Sequence, residues 1–141
     1  LDVINEPQPD AVLFLDETVG GKAIITEDDY IEGSPELVAE VAASSAGYDL
    51  YDKKQAYCRN QIQEYIVWQV FEQQLDWFSY QNQEYVALIP DQRGIIKSLI
   101  FPGLWLDVNA FLNEDMGKVL AILQEGLQSS EFKKFREQLR K

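Results

Sequence analysis

The amino-acid sequence predicts a mixed α/β (α+β) fold in which helices flank a single mixed β-sheet. Short apolar runs, bounded by turn residues, recur along the chain and are typical of strands. They lie at about 11–15, 37–43, 64–70, 75–80, 84–89 and 95–100. Apolar residues at helical spacing occur between the second and third runs and again near the C-terminus. This alternation favours one sheet with helices packed against it.

The first two predicted strands are separated by an acidic stretch. Asp10 follows Pro9 and precedes the apolar run at 11–15. The run at 37–43 is short and rich in small and β-branched residues, which is typical of a strand covered on both faces. The stretch at 26–32 is interpreted as a solvated acidic loop.

A helix and a third strand follow. Asp49 is a suitable N-cap residue for a helix that ends near residues 60–61. The apolar run at 64–70 then predicts the next strand. The resulting order is strand, helix, strand.

A hairpin and a helical segment complete the predicted order. The runs at 75–80 and 84–89 are joined by residues 81–83, which favours a hairpin. Phe101-Pro102-Gly103 interrupts the chain, and residues 113–141 are predicted to form a C-terminal helical segment. The apolar residues at helical spacing there are Val119, Leu120, Ile122, Leu123, Phe132, Phe135 and Leu139.

The chain length favours one domain over residues 1–141. With 141 residues, of which 46% are hydrophobic, the chain can build one core and little more. It begins at Leu1 without an initiator methionine, so we expect some N-terminal residues of the domain to be missing.

No apolar stretch approaches the roughly 20 residues that span a bilayer, and no signal-peptide pattern is present. We therefore expect a cytoplasmic protein that does not bind membranes.

The available residue types restrict the chemistry. The single cysteine, Cys58, allows no internal disulfide. The chain has no histidine, so the usual ligand sets for zinc, copper and haem are absent. A metal ion here would have oxygen ligands.

The net charge of −12 is concentrated in the N-terminal third. Residues 1–52 hold 13 acidic residues and one basic residue, whereas residues 53–141 hold 11 of each. This distribution argues against contact with nucleic acid over the whole surface. A basic cluster near the C-terminus is more often a solvated helix face than a nucleic-acid contact. Its members are Lys133, Lys134, Arg136, Arg140 and Lys141.

One charged residue lies inside an otherwise apolar run. Glu40 is flanked by Leu37-Val38-Ala39 and Val41-Ala42-Ala43, where an unpaired carboxylate would be costly to bury. Glu40 should therefore lie at a strand end, form a salt bridge or bind a metal ion. Asp10 and Lys53 favour the metal ion, since phosphodiester chemistry uses two acids and a lysine. A purely structural ion pair between Glu40 and Lys53 stays open.

These residues belong to a longer ordered set that resembles a known family. The set comprises Pro9-Asp10, the segment 35–44, Asp49-Leu50 with Lys53 and Tyr57, the segment 62–67, Phe101-Pro102-Gly103-Leu104 and Leu106-Asp107. In this combination the chain resembles the Uma-two-type restriction endonucleases, which belong to the PD-(D/E)XK nuclease superfamily. The resemblance covers most of the chain from Pro9 to about Leu112. As a combination it is specific, whereas each element alone is weak.

The resemblance implies a restriction-endonuclease-like core in which an Asp, a Glu and a Lys converge on a divalent cation. Carried over by position, these residues are Asp10, Glu40 and Lys53. The superfamily lysine usually stands two residues after the glutamate, where this chain has Ala42, and the family takes its lysine from the following helix. Lys53 fits that place better than Lys54, because it stands four residues before Tyr57.

The chain departs from the family pattern in the turn after that helix. Gln61 and Gln63 stand where a glycine and a proline are expected around Ile62. Both positions belong to a turn, so the departure does not affect the residues that would perform the chemistry.

The combined residues predict a metal-dependent endonuclease that hydrolyses DNA phosphodiester bonds. Mg²⁺ (or Mn²⁺) would be held by Asp10 and Glu40, with the backbone carbonyl of Val41 or Ala42 as a further ligand. Lys53 would orient the attacking water or stabilise the developing negative charge. Asp10, Glu40 and Lys53 are the expected catalytic residues, and DNA is the expected partner.

Two other function classes stay open. The chain could be a catalytically silent relative that binds nucleic acid or scaffolds a complex, or an acidic protein-interaction module that uses the loop at 16–34.

We also expect a homodimer, because enzymes that cut both strands commonly act as symmetric pairs. Large apolar residues also supply more apolar surface than a small sheet can cover. They are Trp77, Phe78, Trp105 and Phe111.

Overall fold

The computed structural model describes residues 10–15, 21, 24–25, 31–32, 34–43 and 47–139. The chain divides into two compact units, residues 1–87 and residues 88–141. Compact units are not by themselves separately folding domains, so one domain over residues 1–141 stays a prediction. Within the described ranges, no helix is both long enough and apolar enough to cross a membrane.

The first unit contains a five-stranded sheet and a long helix. Its described elements are β1 (Ala11–Leu13), β2 (Ile24–Ile25), β3 (Ile31–Glu32), β4 (Leu37–Ala42), α1 (Gly47–Arg59), β5 (Glu64–Gln69), β6 (Gln74–Gln81) and β7 (Glu84–Ala87). The sheet has the order β1-β4-β5-β6-β7. β4 and β5 run parallel and the other neighbours run antiparallel. The predicted mixed sheet and the hairpin of β6 and β7 are confirmed.

The first unit also differs from the predicted elements. β2 and β3 pair as a separate two-stranded sheet, part of it in the stretch interpreted as an acidic loop. Residues 26–30 of that stretch lie outside the described residues. Strands of two residues are too short to show a periodic pattern in the sequence. α1 begins at Gly47, so Asp49 lies within the first turn and not at the N-cap.

Strand pairing places Glu40, Val67 and Asp76 in one row across the sheet. Glu40 is level with Val67 on β5, and Val67 is level with Asp76 on β6. Paired residues point to the same face of a sheet. α1 covers this face, because its Tyr57 packs into the buried cluster beneath the helix. That cluster consists of Val38, Tyr57, Ile62, Tyr65 and Val67.

The opposite face of the sheet buries an indole together with a carboxylate. Trp77 is 2% exposed, and its Nε1 donates to Glu64 Oε1 at 3.1 Å. The expectation that Trp77 adds to an uncovered apolar surface is therefore wrong, because its side chain is buried. Phe78, Trp105 and Phe111 are half-buried.

The turn between α1 and β5 contains a left-handed residue. Gln61 has a φ of 58°. Its N–H donates to the carbonyl of Cys58, and the N–H of Ile62 donates to the carbonyl of Tyr57. Glycine adopts this helix-end geometry without steric cost, which explains why a glycine is expected here. Gln61 adopts the same conformation although it has a Cβ atom.

The second unit is built from a strand pair and helices. β8 (Ile95–Lys97) and β9 (Trp105–Asp107) pair antiparallel, and α2 (Val108–Leu112), α3 (Met116–Leu127) and α4 (Ser130–Leu139) follow. The strand predicted at 95–100 thus belongs to a separate two-stranded sheet, because it pairs with β9. Asp107 caps α2, since its buried carboxylate accepts from the N–H of Ala110 at 3.0 Å.

Two glycines allow α3 to approach the segment between β8 and β9. A Cβ atom on Gly126 would lie 2.3 Å from the carbonyl oxygen of Gly103 and 2.8 Å from Cγ of Trp105. Gly103 itself has a φ of 92°, a conformation that side chains disfavour. Both positions therefore require glycine.

We expect Gly126→Ala to lower the free energy of unfolding by about 1–3 kcal/mol, because the added methyl group overlaps backbone atoms. Gly117→Ala is the matched control on the same helix. Its Cβ atom would meet only Asp115 Oδ1, at 3.8 Å, and alanine should gain up to about 1 kcal/mol of helix propensity. Urea unfolding measures both variants, and equal stabilities would contradict this packing.

Candidate active site

The carboxylate of Glu40 is buried within β4 and has two partners on α1. Glu40 is 3% exposed. The hydroxyl of Tyr57 donates to Oε1, and Lys53 Nζ lies 3.3 Å from Oε2. Each carboxylate oxygen therefore has a donor, which offsets the cost of burying the charge. Of the three expected explanations for Glu40, the salt bridge is observed.

Lys53 and Tyr57 both reach Glu40 because they are one helical turn apart. Residues at i and i+4 lie on the same side of a helix. Tyr57 is fully buried, whereas the Lys53 side chain keeps 29% of its surface exposed. The Lys53 side chain therefore contacts Glu40 and is in part exposed to solvent.

Lys54 lies next to Lys53 on α1 but has a different contact. Successive helical residues differ in direction by about 100°. Lys54 Nζ lies 4.0 Å from the centroid of the Phe78 ring on β6. Lys53 is thus the lysine that contacts Glu40.

Asp10 lies beside β4 at the start of β1. The two strands pair antiparallel with Ala11 level with Ala39, so the residue before Ala11 lies level with Glu40. Asp10 Oδ2 accepts a hydrogen bond from the backbone N–H of Val41 at 2.7 Å. Through Val41, the exposed Asp10 carboxylate is held close to the buried Glu40.

Burial raises the pKa of the Glu40 carboxyl above its ordinary value. The Tyr57 hydrogen bond and the Lys53 ammonium oppose this rise, whereas the negative charge of Asp10 adds to it. Burial and the contact with Glu40 also raise the pKa of Tyr57, so its hydroxyl remains a donor at neutral pH. A cation beside Asp10 and Glu40 would relieve the repulsion between them.

The side chains that could bind a metal ion here are few. In the part of the chain that the structure describes, no group of three or more Asp, Glu, Cys or His residues could hold one. Mg²⁺ is commonly bound by one or two carboxylates and keeps several waters, so two acids and a backbone carbonyl fit it. Val41 can provide that carbonyl, because it follows Glu40 and its N–H contacts Asp10. The oxygen-only donors fit Mg²⁺ or Mn²⁺.

The contact of Tyr57 with Glu40 is the feature that sequence reasoning missed. The signal was present in the spacing, because Tyr57 follows Lys53 by four residues on the helix after the Glu40 strand. A helix face that carries a predicted site lysine also presents the residue one turn later. Tyr57 holds one oxygen of the glutamate in place.

An acid before an edge strand, a buried glutamate on the next strand and a lysine on the following helix define a restriction-endonuclease-like core. The chain belongs to the Uma2 family, described as "Putative restriction endonuclease", whose sequence model matches residues 2–109. The match includes Asp10, Glu40 and Lys53, and it confirms the resemblance seen in the sequence. The comparison with curated proteins found no match.

We expect Tyr57→Phe to cost about 2 kcal/mol of unfolding free energy at about pH 8, because the buried Glu40 charge loses a donor. Burial already raises the pKa of Glu40, and losing the donor raises it further. Only ionised Glu40 needs the donor strongly, so the cost should shrink as the pH falls through that pKa.

Urea unfolding of the variant and the parent protein at about pH 8 and about pH 5 measures this difference. Tyr51→Phe is the control, since Tyr51 is 63% exposed on the same helix. A cost of Tyr57→Phe that is equal at the two pH values would contradict the assigned contact.

Proposed function

We propose that this protein is a divalent-metal-dependent endonuclease that hydrolyses DNA phosphodiester bonds, with Asp10, Glu40 and Lys53 as its catalytic residues. The arrangement that supports the proposal is a buried Glu40 carboxylate with Lys53 at 3.3 Å and Asp10 bonded to the adjacent residue, Val41. Membership of the Uma2 family supports the same reaction class.

Asp10, Glu40 and the backbone carbonyl of Val41 would hold the metal ion. Bound there, Mg²⁺ or Mn²⁺ supplies neutralisation of phosphate charge and activation of a water molecule. The protein positions the ligands beforehand, because Tyr57 orients one oxygen of Glu40 and the N–H of Val41 orients Asp10. Such preorganisation lowers the cost of reaching the transition state.

Lys53 would act on the phosphate and the attacking water. Its ammonium is a compact positive charge in contact with Glu40, on a side chain that is in part exposed. Placed beside the scissile phosphate, it stabilises the negative charge that develops there and orients the water by hydrogen bonding.

The proposed DNA contact depends on local positive charge, since the whole chain has a net charge of −12. α1 carries three basic residues, Lys53, Lys54 and Arg59, of which Lys53 contacts Glu40. Lys133, Lys134 and Arg136 are exposed on α4, whereas the remaining two residues of the basic cluster, Arg140 and Lys141, lie outside the described residues. Binding through phosphates should weaken as the salt concentration rises, because counterions are released on binding.

A catalytically silent nuclease fold is the second candidate, and one observation favours it. Lys53 and Tyr57 already give both oxygens of Glu40 a partner, so the glutamate has a structural explanation without a metal ion. Such a protein would bind nucleic acid or scaffold a complex. The acidic protein-interaction module would use residues 16–34, most of which lie outside the described residues.

With Mg²⁺ or Mn²⁺ at low salt, we expect the protein to cleave plasmid DNA slowly. Ca²⁺ should not support cleavage, because its larger size and flexible coordination do not maintain the required geometry. Glu40→Ala and Asp10→Ala should abolish cleavage in a gel assay, whereas Asp52→Ala, at an exposed position on α1, should not. If Glu40→Ala cleaves as well as the parent protein, the nuclease assignment fails and the silent fold replaces it.

We expect Lys53→Ala to reduce kcat by about 100-fold with little change in metal affinity, because the amine acts on the phosphate and water. Lys54→Ala is the matched control, since it removes the same charge from the next position on the helix. It should reduce kcat much less. Single-turnover cleavage and Mn²⁺ titration calorimetry separate the two effects, and equal losses of kcat would exclude the special role of Lys53.

A homodimer would allow two such sites to cut both strands. Each unit exposes large apolar side chains that a dimer interface would cover: Phe71 is 72% exposed in the first unit, and Ile89 is 84% exposed in the second. Light scattering across micromolar concentrations should therefore give the mass of two chains. The mass of one chain throughout this range would exclude the dimer.

A further inference from the structure

A cleft of about 300 Å³ lies on the face of the sheet that α1 covers. Tyr51 and Lys54 line it from the helix, and Val67, Gln69, Asp76 and Phe78 line it from the sheet. Its size is at the lower end of the range for small-ligand sites. None of its polar groups has a role in the reaction proposed above.

The cleft adjoins the proposed active site. Val67, one of its lining residues, pairs with Glu40 on the neighbouring strand, and neighbouring strands are about 4.8 Å apart. Lys53 contacts Glu40, whereas the next residue, Lys54, lines the cleft. A nucleotide whose phosphate lies beside Lys53 would therefore have its base within reach of the cleft.

The lining selects the chemical class of the ligand. Aromatic and aliphatic walls surround three polar groups: the Lys54 ammonium, the Asp76 carboxylate and the Gln69 amide. Asp76 would repel a phosphate group, and an alkyl group would displace water from the three polar groups without offering them a hydrogen bond. A planar ring with donors and acceptors along one edge satisfies both the walls and the polar groups.

We propose that this cleft binds an unpaired guanine base next to the cleaved phosphate, an inference that rests on the proposed nuclease function. Guanine presents N1–H and the N2 amino group side by side, and both can donate to one carboxylate. Its O6 lies beside them and accepts hydrogen bonds. Asp76 supplies the carboxylate and Lys54 supplies the ammonium. Adenine, cytosine and thymine do not present two adjacent N–H groups on this edge.

Both recognition groups are held in place before a ligand binds. Lys54 Nζ lies 4.0 Å from the centroid of the Phe78 ring. Gln74 Nε2 donates to Asp76 Oδ2 at 2.9 Å. A carboxylate has about four lone-pair sites, so Asp76 can still accept from the base. The recognised edge is the one used in base pairing, so the guanine must be single-stranded or extruded from a duplex.

Fluorescence anisotropy with the full chain tests this proposal. The probes are two labelled thymidine oligonucleotides with one central guanine or one central hypoxanthine, which lacks only the N2 amino group. In EDTA at low salt, the protein should bind the guanine probe about 10-fold more tightly than the hypoxanthine probe. Asp76→Asn should reduce this preference to within about 2-fold, because the amide cannot accept both N–H groups.

Matched variants separate recognition from charge. Asp52→Asn removes an exposed acid from α1 and should retain the preference for guanine. Lys54→Gln should weaken the binding of both probes to a similar extent, because guanine and hypoxanthine both have O6. The proposal is overturned if the parent protein binds the two probes equally, or if Asp76→Asn keeps the full preference.

The same measurement distinguishes this inference from the proposed function. Binding in EDTA needs no metal ion. A guanine preference without cleavage in Mg²⁺ would therefore support the cleft assignment and exclude the nuclease function. Cleavage in Mg²⁺ without any guanine preference would support the nuclease function and exclude the cleft assignment.

Discussion

The burial of Glu40 within β4 constrains the structure around it. A carboxylate in this position needs hydrogen-bond donors at both oxygens. Without them, the free-energy cost of its desolvation would exceed what the fold can offset. Lys53 and Tyr57 provide these donors, and both come from α1. The helix must therefore pack on the Glu40 face of the sheet in one rotational setting. That setting in turn determines which other helix residues face the sheet and which face solvent.

The rotational setting of α1 gives neighbouring residues separate tasks. Tyr57 lies deepest and orients the glutamate, whereas Lys53 lies one turn earlier and reaches both Glu40 and solvent. Lys54 is rotated away and contacts Phe78 across the cleft. A substitution that rotated the helix would therefore disturb the site and the cleft together.

A lysine can be placed beside Glu40 either from β4 itself or from α1. A lysine two residues after Glu40 would lie on the same face of the sheet, because strand side chains alternate. Ala42 occupies that place, and its small side chain leaves the face to residues from the helix. Lys53 brings its ammonium to the same glutamate from α1. The backbone tolerates another departure, since Gln61 adopts the left-handed conformation expected of glycine.

Local sequence determined the class of fold and the order of most elements, and it singled out Asp10, Glu40 and Lys53 as candidate site residues. Periodicity, turn residues and an isolated charge are local signals, so they can be recognised without knowing which strands are neighbours. Only the tertiary structure decided that β8 pairs with β9, that Tyr57 donates to Glu40, and that Asp76 lies in one row with Glu40. These facts depend on strand pairing and helix rotation, which arise from contacts between residues far apart in the chain. A shift of one residue in the strand pairing would change every such row while leaving the sequence pattern unaltered.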